Sequence, residues 1–182
     1  MRTVARSVGA GANVIAVHMR PPLRQGHTMT VHITGSVPLT NDEIKQVSAW
    51  IEEIADEYRA AAIGMMDQFH IDPPWKDEFD QNTHVRRYRR YSCAGFVIDG
   101  HRQVSIDLLD IAPGSLPEVD RQTILATYAD AQASPIFLAQ CGLGGNGPYR
   151  IVLPGYVLHS MKRTTAQIRQ GPYRVQPGDE RF

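Results

Sequence analysis

Cys93 is the residue best placed for covalent chemistry. It follows Ser92 and precedes Ala94, Gly95 and the apolar run Phe96, Val97 and Ile98, a pattern that predicts a helix beginning at the cysteine and running for about three turns. Ser92 would cap that helix, and its unpaired first-turn amides and dipole would favour the thiolate, the nucleophilic form of the sulfur. Ala94 and Gly95 would leave the space around the sulfur open on at least one side. Such a nucleophile needs an imidazole within hydrogen-bond reach, a third group to orient that ring, and backbone donors for an oxyanion, of which the Cys93 N–H would be one. The competing reading is a buried structural cysteine.

The string Cys93-Ala94-Gly95-Phe96-Val97, a polar stretch, and then Ser105-Ile106-Asp107-Leu108 resembles the nucleophile segment of the NlpC/P60 branch of papain-like cysteine hydrolases. The likeness covers about twenty residues around Cys93, with Ser92 where the family carries Asp and Ala94 where it carries Ser. It implies a papain-like, NlpC/P60-like α+β fold and a peptidase or amidase working through a thioester acyl-enzyme. It also implies a histidine downstream of the cysteine, on a strand packed against the nucleophile helix.

His101 and His159 are the downstream histidines, and His101 lies eight residues along the same helix. That is about 12 Å away by the helical rise, too far for a base. The resemblance therefore gives His159 the role of base and then acid, with Gln167 as the nearest orienting group and Asp179 the next. A circularly permuted arrangement would put His32 or His84 in the place of His159. His18, His27, His32, His70 and His84 fall in unrelated segments without the H-E-x-x-H spacing, so no metal site is expected and no cofactor is called for.

The elements that must hold these groups are legible to different degrees. Residues 1–28 are broken up by Gly9, Gly11, Pro21, Pro22 and Gly26, and read as a poorly ordered or peripheral arm with one strand-like run at Asn13–Met19. Residues 29–182 read as a single α+β domain. Thr28–Val37 alternates like a strand. Thr40 with Glu43 forms a capping box flanked by Leu39 and Ile44, which starts a long amphipathic helix ending near Gly64–Asp67. Phe69–Asn82 reads as a loop pinned by Trp75 and Phe79. Ser115 with Glu118 suggests a second capping box and a helix over Leu116–Ala131. Tyr149–Met161 reads as sheet bent at Pro154-Gly155, with Tyr173–Val175 as a final strand. The expected architecture is helices packed on one face of a small antiparallel sheet.

Two further stretches border the expected cleft. His84–Tyr91 holds four arginines and two tyrosines directly before the cysteine helix. They could bind a nucleic-acid backbone, hold a substrate carboxylate near Cys93 through residues such as Arg90, or pair with the acids upstream, Asp77, Glu78 and Asp80. Tyr91 and Ser92 complete that wall. Cys141–Pro148 holds four glycines; without Gly-Lys-Ser/Thr it is not a phosphate loop, and Gly144 and Gly145 would line the cleft or merely connect elements.

Composition sets the outer bounds. The 182 residues are 42% hydrophobic and 21% charged with zero formal net charge, so no global field draws the chain to nucleic acid or anionic lipid. Two distant cysteines suggest neither a disulfide framework nor a thiolate zinc site, which fits a reducing compartment. No signal-peptide pattern or membrane span is recognisable, so the expected location is the cytoplasm, or outside it by export without a cleaved signal. The expected partner is a peptide or amide, in peptidoglycan or in a protein tail. The alternatives are a non-catalytic binding or assembly protein of the same fold, and a nucleic-acid-binding module using Arg86–Tyr91.

Overall fold

Thr40 starts the longest element in the way its neighbours dictate. Its hydroxyl accepts from the Glu43 N–H and the Glu43 carboxylate accepts from the Thr40 N–H, so two orphan amides of the first turn are satisfied reciprocally. The computed structural model describes residues 14–19, 23–29, 37–127 and 134–180. Within them helix α1 spans Asn41–Ala61 and buries Val47, Trp50, Ile51, Ile54 and Tyr58 on one face. It stops at Ala62 in the left-handed region, short of the expected end near Gly64.

Strands β1 (Val14–Met19) and β2 (Leu23–Met29) form an antiparallel hairpin where an arm is expected, and β1 lies against the cysteine helix. The rest of the strand expected at Thr28–Val37 falls almost wholly outside the described residues. The stretch expected as a loop contains β3 (Trp75–Phe79), paired antiparallel with β4 (Arg86–Tyr91). Charge supports the pairing at two points: Asp77 stands opposite Arg89, and the facing cations Lys76 and Arg90 are bridged by Glu78 at 3.0 and 3.4 Å. Trp75 is half-buried as expected, whereas Phe79 is 56% exposed and pins nothing.

Helix α2 (Cys93–Arg102) begins at the predicted residue. The chain then stays irregular through Val119, whose N–H and C=O both pair with Tyr149. That bridge holds the backbone extended, so α3 (Arg121–Thr127) starts only after Asp120, whose carboxylate accepts from the Thr123 N–H; the Ser115–Glu118 box is not used. Helix α4 (Pro135–Gln140) is capped by Ser134.

The expected strands over Tyr149–Met161 are replaced by helix α5 (Pro154–Met161). Pro154 occupies the first turn, where its missing N–H costs nothing, and Gly155, Tyr156, Val157 and Ser160 turn inward. Helix α6 (Thr165–Gln170) follows, and Tyr173 makes an isolated parallel bridge to Leu109. The fold is thus α+β, but among the described residues the strands form two separate two-stranded sheets and not one helix-covered sheet. The core runs from the inner face of α1 through α2 to α5. No helix among the described residues is long and apolar enough to cross a membrane.

Candidate functional site

From Arg90 to His101 every residue is buried except Cys93. Helix α2 is sunk in the core, with Phe96 against Trp50 and Tyr91, yet its first residue reaches the surface. The Ser92 hydroxyl accepts from the Gly95 N–H at 2.9 Å, which fixes the helix start and leaves Cys93 at the first helical position.

A strap made by Phe69–Pro74 lies along this helix start. The His70 N–H donates to the Tyr91 carbonyl and the Ser92 N–H to the Pro74 carbonyl. Gly95 serves that approach, and not an opening around the sulfur: a Cβ built there would stand 2.0 Å from the Pro74 oxygen. The far side of the strap is held by Cys141, whose carbonyl accepts from the N–H groups of both Ile71 and Asp72. Gly142, at φ +89°, packs directly on the Asp72 carbonyl and the His70 ring. Within the glycine loop, then, Gly142 has a defined task, while Gly144 and Gly145 sit on an exposed turn whose carbonyl oxygens at Leu143 and Gly145 accept from the Tyr149 hydroxyl.

His159 lies on α5, not on a strand, and its Nδ1 stands 3.6 Å from a carboxylate oxygen of Asp179. Asp179 also accepts from the Tyr173 hydroxyl and the Gln176 N–H, so it fixes the C-terminal turn. Of the two orienting groups expected for His159, Asp179 is the one beside it. Gln167 is engaged elsewhere: its side-chain oxygen accepts from the Thr164 N–H in the capping box of α6. The Thr-x-x-Gln pattern in the sequence carries that signal.

His101 is buried with Nδ1 against the Val97 carbonyl. His84 sits in the β3–β4 turn at φ +55°, one full strand from Cys93. A six-residue strand spans roughly 17–20 Å, so His84 is out of reach. His32 lies outside the described residues.

Three of the four arginines in the run are neutralised in place. Arg89 makes a two-pronged contact with Asp77 at 2.6 and 2.9 Å and a third bond to Asp99, which also accepts from the Tyr91 hydroxyl at 2.7 Å. Arg86 pairs with Glu57, and Arg90 bonds the Phe69 carbonyl and reaches Glu78. These guanidiniums tie the hairpin to α1 and α2, so Arg90, Tyr91 and Ser92 shape the wall behind Cys93 instead of offering free polar groups to a substrate or to nucleic acid.

Nothing in the local pattern around His70 singles it out. Its ring is 4% exposed and its Nδ1 is shut away from solvent without a hydrogen-bond partner among the described residues. Burial, with the charges of Arg90 and Lys76 nearby, pushes its pKa down to about 4. Cys141 beside it is fully buried, and its thiol is pushed up to about 12 by that burial, which removes it as a nucleophile. Among the described residues no group of three metal-ligating side chains converges. No protein-family model, curated protein or solved structure matches the chain.

Proposed function

We propose that the chain is a papain-like cysteine hydrolase acting on a peptide or amide, with Cys93 as nucleophile. The observation that carries this reading is that Cys93 alone is only partly buried along an otherwise buried segment, at the capped N-terminus of a core helix. A purely structural cysteine would be expected inside, as Cys141 is.

In this reading the Cys93 sulfur attacks the substrate carbonyl and the developing oxyanion is met by first-turn amides of α2. The proton passes to an imidazole and from it to the leaving amine, after which water cleaves the thioester. His159 is proposed for that role because the Asp179 carboxylate stands 3.6 Å from its Nδ1, where it can serve as the orienting group. The substrate class, whether a peptidoglycan stem or a protein tail, follows from the resemblance alone.

Incubation with a panel of activated acyl donors, followed by intact-mass measurement, tests the proposal. The expected product is a single acyl adduct on Cys93, absent in Cys93→Ala and slowed at least tenfold in His159→Ala. An adduct that forms at Cys93 equally fast in His159→Ala would reassign the base and keep the nucleophile. No adduct with any donor would remove the enzyme reading.

A further inference from the structure

We propose that His70 is an acid-sensitive latch: protonating its imidazole releases the Phe69–Pro74 strap from the start of α2 and uncovers the ground beside Cys93. The geometry carries this. The strap is clamped on both flanks, to Tyr91 and Ser92 on one side and to the Cys141 carbonyl on the other, with Gly95 and Gly142 as the two points where only a bare α-carbon fits. The His70 ring is packed inside that clamp, touching Gly142, and nothing among the described residues accepts from or donates to its Nδ1.

A neutral ring is tolerated there; an imidazolium would not be. It would face the Arg90 guanidinium from β4 and the Lys76 ammonium from β3. Glu78 is the carboxylate close by, and it is already shared between those same two cations, at 3.0 Å from Lys76 and 3.4 Å from Arg90. Asp72, two residues along the strap, has its pKa raised by burial, so its counter-charge is lost sooner on acidification than that of an ordinary carboxylate. Cys141 remains a neutral thiol. Opening the strap lets the imidazolium reach water, so proton binding and opening are linked. The effect on Cys93 reactivity rests on the reading above; the opening itself does not.

Hydrogen exchange of the full chain, corrected for intrinsic rates at each pH, reads the latch directly. Protection of the His70, Ile71, Asp72 and Ser92 amides should fall about tenfold per pH unit from about pH 6.5 toward pH 4 and stay well below that of amides in the middle of α1, so that the strap opens before the fold does. In His70→Gln that slope should vanish. The same slope in His70→Gln, or none in the wild type, would overturn the proposal. If His70→Gln does not fold, the imidazole titration of the wild type followed by NMR decides: a midpoint below about 5 is expected, and one at about 6.5 or above would contradict it. A strap that opens while Cys93 stays inert would leave the latch standing and count against the hydrolase.

Discussion

At Cys93 the chemistry depends on side chains that never touch a substrate. Ser92 is fully buried and satisfies the Gly95 amide, so Ser92→Ala should cost about 1–2 kcal/mol in urea unfolding and slow Cys93 alkylation as the helix start frays. Gly95→Ala drives a methyl group into the Pro74 carbonyl and should cost about 3 kcal/mol through displacement of the strap. A Gly95→Ala variant as stable as the wild type would mean that the strap yields freely there. The sequence placed Cys93 at a helix start because Ser92 is a local signal. It misread the purpose of Gly95, because the Pro74 oxygen that needs the space arrives from twenty-one residues upstream.

Elements whose signals are local were legible, and those set by distant partners were not. The α1 capping box and the start of α2 are written within a few adjacent residues. The β3–β4 hairpin instead depends on acids pairing with arginines about a dozen positions later, and those pairs bind the hairpin to α2 through Asp99. Asp99→Ala strands the buried Tyr91 hydroxyl and removes one partner of Arg89. A loss of about 2–3 kcal/mol with an unchanged denaturant slope is expected, and Asp99→Asn should recover part of it. The same network argues against nucleic-acid binding, since three of the four arginines are already engaged. Helix α5 was misread because Pro154-Gly155 resembles a strand break as much as a helix first turn, and only burial of Tyr156, Val157 and Ser160 separates the two.

Over the whole molecule, acid should act in two separate windows. His70 has a folded pKa near 4 against an ordinary value of 6.5, so the unfolded chain binds its proton first and stability falls as pH drops from 6.5 toward 4. Glu43 behaves differently: its hydrogen bonds from Arg169, then from Thr40, hold it at about 2, so its contribution is present above 4.5 and is lost as pH falls through 2. That pair joins the start of α1 to α6 across the fold. Acid unfolding followed by circular dichroism should show a smaller upper window in His70→Gln, the remainder belonging to His101, whose pKa burial also lowers, and a smaller lower window in Arg169→Ala; one shared transition in both variants would contradict the separation. The central claim concerns the sulfur at the head of α2, and site-resolved alkylation with iodoacetamide against pH tests it without any substrate. Cys93 should be modified well below pH 8 while Cys141 in the same folded molecule stays unmodified. Equal resistance of both cysteines, or modification of Cys93 only above about pH 9, would contradict the claim.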